Sequence, residues 1–454
     1  MLERIGLRFE SFVRRFMPDP FVLAIALTLL TFLLAKLNTD KSVSSLLEIW
    51  FYGVKNDNAK SGFWGLLDFA MQMVLVVVTG EAIAASPPVH RALCRLAKIP
   101  KTAFGSAAFV SFVAMSLGWL HWGFGLIAAS LLAREVAIQA KSRGMKLHYP
   151  LIGAAAYTAQ LIWHGGLSGS APLKVNEAKP PHFLFDLIGQ VPLSQTVLTP
   201  MNLTACAILL ASVPFIIAAM TPKPENCLEA SDETLAERNA ATYVADRSTL
   251  AGTIDASPLS TYALVAMGAA VLVLHFKNKG FDLNPNIVNF IFLMIGLALH
   301  GSPVAYMKAA GQSMKGAAGI VIQFPLYGGI MGLMIGSGLG EQIAGIFTHL
   351  ATAKTLPFFT YIASVSSKLF IPSGGGEWAV EGPVMLRAAK ELGANTGKTI
   401  MAVAYGNMVG NMFQPFWALP LLGIMNLKAK EIMGYCLVIF CVAFPLLGVI
   451  LLLF

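Results

Sequence analysis

The chain has 454 residues, 56% of them hydrophobic and 12% charged, with a mean hydropathy of +0.67. Soluble domains carry about 25% charged residues, so a water-soluble protein is excluded and an all-α integral membrane protein is read; a transmembrane barrel would show alternating segments of roughly ten residues instead. The net charge of +8 fits Lys- and Arg-rich cytoplasmic loops rather than nucleic-acid binding.

Residues 1–18 form a basic amphipathic segment, with Ile5, Phe9, Phe12 and Phe16 along one side, expected at the cytoplasmic surface. No small-residue cleavage site closes the apolar run from Pro20 to Ala35, so it reads as a retained first span at 20–36. A polar loop runs to Ser61, and a second span at 62–85 stops at Ser86-Pro87-Pro88. The next apolar segment is interrupted at Gly118-Trp119-Leu120-His121-Trp122-Gly123 and has basic residues at both ends. It reads as a re-entrant hairpin, 102–142, tipped by His121, or as two full spans with a short turn. A span broken at Trp163-His164-Gly165-Gly166-Leu167-Ser168-Gly169-Ser170 covers 151–172, and another span covers 201–220. Residues 221–258 are polar and read as a cytoplasmic linker, partly helical at most.

Spans follow at 259–276, 286–300 and 316–338. A second hairpin, 357–393, turns at Pro372-Ser373-Gly374-Gly375-Gly376-Glu377-Trp378. A second broken span, 398–421, contains Asn407-Met408-Val409-Gly410-Asn411-Met412-Phe413-Gln414-Pro415, and a last span runs 431–454. This tally is nine spans and two opposed hairpins. With the N-terminus inside, nineteen Lys and Arg fall on the inner side and twelve on the outer, while Lys368 lies in the second hairpin. The five cysteines show no paired spacing, and neither a disulfide framework nor a zinc site is read from them.

The two halves, 19–220 and 259–454, repeat one order of elements: span, hairpin, broken span, span. One series starts outside and the other inside, so the expected architecture is two inverted-topology repeats. Paired, breaker-interrupted segments are the best sequence pointer to a secondary transporter's site. Each break exposes helix ends whose free N–H groups and partial positive charge hold an anion.

His121-Trp122-Gly123-Phe124-Gly125, the Pro372–Trp378 tip, Gly410-Asn411-Met412-Phe413-Gln414-Pro415 and Arg15-Phe16-Met17-Pro18-Asp19-Pro20 resemble the short-chain fatty acid transporter family, over nearly the whole chain. The resemblance places it in a wider superfamily of carboxylate carriers. It implies inverted repeats, a homodimer, an elevator-type motion and uptake of acetate- to butyrate-sized acids or acetoacetate across a bacterial inner membrane. It assigns neither the coupling ion nor individual binding residues.

From the residues themselves, the substrate candidates are His121, Trp122, Gly123, His164, Gly165, Gly166, Ser168, Ser170, Ser373, Gly374, Gly375, Gly376, Asn407, Asn411 and Gln414. Tip amides and hydroxyls suit a carboxylate. Asn407 and Asn411 are one turn apart and can share a face, to hold substrate oxygen, to bind Na⁺ or to bond neighbouring helices. Glu377, Asn411, His121 and His164 are the ion-coupling candidates, for H⁺ or Na⁺; an intramembrane carboxylate costs about 2.5 to 3.5 kcal/mol and suggests a task. Pairing of Glu377 with Lys368 near the interface is the plainer alternative, and Glu381 is expected near the outer surface. Trp122, Trp163, Phe413, Phe416 and Trp417 can wall an apolar pocket or pack in the core. With no intramembrane Arg at a tip, one carboxylate is favoured over two, held by backbone and amide groups rather than a buried cation. No cofactor is expected. A hydrolase using Ser373 with a histidine lacks a G-x-S-x-G or H-E-x-x-H motif; a channel is the remaining alternative.

Overall fold

The computed structural model describes residues 2–16, 18–54, 61–176, 184–231, 249–255, 257–280, 285–348, 350–372 and 374–454. These are helical, with no strand among them. Helix starts are written locally. Asp19 accepts from Phe21 N at 2.9 Å ahead of Pro20, Thr102 caps the helix beginning at Ala103, and Asn395 accepts from Lys398 N at 2.9 Å. Proline sits comfortably in a first turn, because its missing N–H would be unpaired there anyway.

Seven helices are long and apolar enough to cross a membrane among the described residues, or eight if the pair Leu67–Ile83 and Pro87–Ala97, bent by 83° at Ser86-Pro87, counts as one span. Two of the seven are the arms of the first hairpin, Ala103–Leu120 and Trp122–Ser142. The nine-span tally also counted Pro285–His300 and the two broken segments, which are too short to be continuous spans.

The connecting segments are tied together in two groups. At one end Lys146 pairs with Glu229 at 2.7 Å, Tyr149 N donates to Leu228 O, and Tyr149 OH donates to Met425 O. Glu229 raises Lys146 above the ordinary lysine range through its hydrogen bond and charge. Arg143 donates to Pro100 O at this same end, closing the base of the first hairpin. At the other end Gln342 reaches Asn38 O, and Gly397 packs on the Gln195 carbonyl near the base of the second hairpin. The two hairpin bases thus have different partners, while Trp417, packed on Trp122 and donating to Pro372 O, brings the two tips together.

Some expectations need correction. The segment to Ser61 is not all loop: Val43–Tyr52 is a helix, capped by Ser42. Helices Pro303–Ser313 and Leu339–Thr348 also occupy expected connections. The N-terminal helix Leu2–Phe16 does more than lie at a surface. It packs on the last helix, Ala429–Leu453, where Gly434 leaves room for the Glu10 backbone. Tyr435 OH donates to Glu10 at 2.7 Å and meets His148 Nε2 at 2.9 Å, all buried. An amphipathic pattern alone does not tell a lipid surface from a helix face.

Candidate functional site

The first broken segment runs Tyr149–Tyr157 and Ala159–Ile162, tightens into a 3₁₀ turn at Trp163–Gly165, and resumes at Ser170–Asn176. Its seventeen residues up to Gly165 rise about 25 Å at 1.5 Å per residue. The break has a steric cause. A Cβ on Gly166 would collide with the Trp119 carbonyl, which instead accepts from Leu167 N at 2.8 Å. Trp122 N donates to Ser168 Oγ at 2.9 Å. The first tip and first break are thus stitched together by one backbone bond and the Ser168 hydroxyl.

The second broken segment is the mirror case. Thr396–Gly410 rises about 22 Å, then Asn411–Pro415 turns into a 3₁₀ piece, Phe416–Ala418, and a last helix, Leu419–Met425. Gly406 and Gly410 form a small-residue face that lets the hairpin arm Leu356–Ser367 approach, as small residues do between membrane helices. Above Gly410 lies the side chain of Lys368, where a Cβ would strike.

Lys368 is fully buried. Its ammonium donates to Pro372 O at 2.5 Å and Asn407 Oδ1 at 2.8 Å. Asn407 in turn donates through Nδ2 to Glu377, and Ser364 donates through its hydroxyl to Glu381. Glu377 and Glu381 are both fully buried, and each keeps one carboxyl oxygen without a hydrogen-bond partner. The expectation that Glu381 lies at the outer surface is therefore wrong. So is the expectation of a site without a buried cation; Lys368 is one helical turn from the tip. Glu377 does not meet Lys368 directly, because Asn407 stands between them.

His164 joins the halves. Its Nδ1 accepts from Ser170 N at 3.2 Å, its ring stacks on Trp163 at 4.1 Å, and its Nε2 has no partner. A Cβ on Gly374 would lie 2.5 Å from His164 Cε1 and 2.9 Å from Ser170 Oγ, so only glycine lets the second tip seat there. Nearby, Asn411 Nδ2 donates to Gln160 O at 3.2 Å. Asn411 Oδ1, Gln414 Nε2 and both side-chain polar atoms of Gln160 are buried without partners. Leaving such groups unpaired costs on the order of 1 to 3 kcal/mol each, and a polar ligand would relieve it. Trp122, Trp163 and Trp417 form one cluster, with ring centroids 4.7 to 5.2 Å apart. Trp417 Nε1 donates to Pro372 O at 2.9 Å, which ties this cluster to the second tip.

The structure thus brings together His164, Gly165, Gly166, Ser168, Ser170, Gly374, Asn407, Asn411, Gln414, Glu377 and Trp122. Other candidates make further contacts of their own. His121 is buried, stacks on Trp122 at 5.9 Å and caps its own hairpin arm, with Nδ1 accepting from Phe124 N at 3.4 Å, and Gly123 packs against its ring. Gly375 is exposed, Gly376 is buried next to it, and Ser373 lies outside the described residues. Phe413 packs on Phe440, and Phe416 packs on Phe324 and Tyr327 as well as Trp417. Sequence reasoning missed Gln160 and Asn202; the latter's Nδ2 clamps Gly165 O at 2.8 Å while its Oδ1 accepts from Tyr405 OH. A lone amide within each apolar run was the available signal.

A family profile described as Short chain fatty acid transporter matches residues 1–454. The chain belongs to the short-chain fatty acid transporter family. It is 38% identical over 438 residues to a relative in Escherichia coli (strain K12) named for short-chain fatty acid transport, covering 96% of each chain. A similarly named relative in Haemophilus influenzae (strain ATCC 51907 / DSM 11121 / KW20 / Rd) is 37% identical over 443 residues, again with 96% of each covered. Among solved structures, the Alcanivorax borkumensis YdaH transporter aligns with 95% of this chain and 98% of its own, at 18% identity and TM-score 0.44, a likeness too low to carry weight. Membership makes the protein a multi-pass membrane transporter rather than an enzyme, in keeping with its apolar helices.

Proposed function

We propose that this member of the family carries short-chain monocarboxylates, of acetate to butyrate size or acetoacetate, across a bacterial inner membrane in symport with a cation. The observation that supports it best is the unpartnered polar set of His164, Gln160, Asn411 and Gln414 beside three tryptophans. Such a surface suits a carboxylate head and a tail of a few carbons.

Charge balance favours the proton. Lys368, Glu377 and Glu381 sum to minus one when all are ionised, and unbalanced buried charge is costly. One proton makes the cluster neutral; a second makes it positive, and the substrate carboxylate restores neutrality. Each carboxylate taken up is then matched by one proton. Asn407 Oδ1 already accepts from Lys368, so a Na⁺ would have to take Asn411 Oδ1 with Gln160 Oε1 or the open carboxyl oxygens of Glu377 and Glu381, and the carboxyl oxygens are the ones the charge balance gives to protons. Among the described residues the site offers one ammonium, which favours a monocarboxylate over a dicarboxylate.

The cytoplasmic N-terminus, the two inverted repeats, the elevator-type motion and the homodimer belong to the same proposal. The different partners of the two hairpin bases and the basic residues gathered with Lys146 and Lys223 at one end support the orientation. Counterflow of labelled acetate, butyrate and acetoacetate in proteoliposomes tests the substrate; no counterflow with any of them would sink it.

A further inference from the structure

A second cluster lies away from the tips, at the basic end of the molecule. His90 and Cys94 are one turn apart on Pro87–Ala97, the helix beyond the 83° bend. Glu135 reaches them from the second arm of the first hairpin. Cys94 Sγ lies 3.6 Å from His90 Nε2 and 3.1 Å from Glu135 Oε1. One ligand atom from each of the three falls within 4.8 Å of the others. Glu135 is 1% exposed, and its Oε2 has no hydrogen-bond partner. Membrane packing does not explain an unsatisfied carboxylate oxygen beside a thiol and an imidazole.

We propose that His90, Cys94 and Glu135 form a binding site for a zinc-type divalent cation. Tetrahedral zinc takes bonds of about 2.0 to 2.3 Å to nitrogen, sulfur and oxygen, which place neighbouring ligand atoms at separations like those seen. Binding expels the thiol proton to solvent, and a thiolate with a carboxylate neutralises the doubly charged cation. Gln139 Nε2 donates to Glu135 Oε1 at 3.0 Å and orients the carboxylate. His90 is exposed, so the site has a route to water, which can supply the fourth ligand. A bound ion would tie the bent connector to the hairpin arm. Sequence spacing conceals the site, since its ligands come from two helices and include a single cysteine.

The full-length protein with Cys227→Ser and Cys441→Ser, stripped with EDTA, provides the test; Cys206 and Cys436 are buried, leaving Cys94 as the accessible thiol. Maleimide labelling of Cys94 is timed with and without Zn²⁺, with Mg²⁺ as a control, and Co²⁺ is added separately for its spectrum. The expected result, with Zn²⁺ at about 100 times its Kd, is labelling slowed at least about 10-fold, because the unliganded site falls by a factor of one plus the ratio of free Zn²⁺ to Kd. EDTA restores it, Mg²⁺ has no effect, and a thiolate-to-cobalt charge-transfer band appears. His90→Gln, at an exposed position that leaves the fold intact, and Glu135→Gln lose the protection. Labelling unaffected by Zn²⁺, or protection equal in His90→Gln, would overturn the assignment.

Discussion

At the first break, the polar groups are a histidine, two serines and a line of backbone amides, held by the Trp119 carbonyl and by Ser168. Where the second hairpin meets the second broken segment, a lysine and two glutamates share a fully buried space with Asn407. The two regions share breaks and glycines but differ in charge: the first offers a histidine, hydroxyls and amides, the second a lysine and two glutamates. The first can bind an anion without changing charge; the second must gain or lose a charge for the site to stay neutral. On the proposed reading, the first would mainly cradle the substrate and the second would mainly carry the coupling.

Lys368→Met strikes the second region hardest. It strands two buried carboxylates and should cost about 3 to 5 kcal/mol, read as a large fall in melting temperature with uptake abolished. Adding Glu377→Gln and Glu381→Gln should restore much of the melting temperature without proton-driven uptake. A single variant that melts and transports normally would remove the division between the regions. Gly374→Ala tests their contact. Its methyl meets His164, and overpacking costs about 1 to 3 kcal/mol, so maximal uptake should fall steeply, with partial recovery on adding His164→Ala.

Asn411→Ala should act more mildly, raising the apparent KM about 10-fold, equivalent to about 1.4 kcal/mol, at normal expression. At the first region, Ser168→Ala removes one hydrogen bond to Trp122 N, worth about 1 kcal/mol. Uptake should fall a few-fold with its pH profile unshifted; a shifted profile would move coupling to the first region. The smallest effect is expected far from both. Lys146 is raised by Glu229, so any stabilisation from the pair is present below the lysine range and lost as pH rises through it. Exposed pairs contribute little, and Lys146→Ala should leave the melting curve unchanged at neutral pH.

The all-α membrane class and the places where helices break were legible because glycine, proline and polar residues interrupt long apolar runs, and membranes restrict where that is possible. The amphipathic connectors were less legible. Val43–Tyr52 and Pro303–Ser313 are short and flanked by polar residues, so their apolar faces read as loop. At the site, Asn407, Asn411 and His164 stood out as polar residues among breakers. Lys368 did not, because in sequence it reads as a partner for Glu377 near the interface. Its burial depends on Gly410, 42 positions later, which leaves room for its stem. Glu381 was misplaced for the same reason: its partner Ser364 lies on the opposite arm.

The most direct test of the coupling account is uptake of labelled acetoacetate into proteoliposomes under separately imposed proton, Na⁺ and electrical gradients, corrected for protein-free vesicles. The account predicts concentrative uptake driven by an inward proton gradient, indifferent to Na⁺ and to membrane potential. In the Glu377→Gln, Glu381→Gln variant, counterflow should persist while the pH gradient no longer drives accumulation. Uptake that follows a Na⁺ gradient at fixed pH, or that the double variant still concentrates with protons, would contradict it.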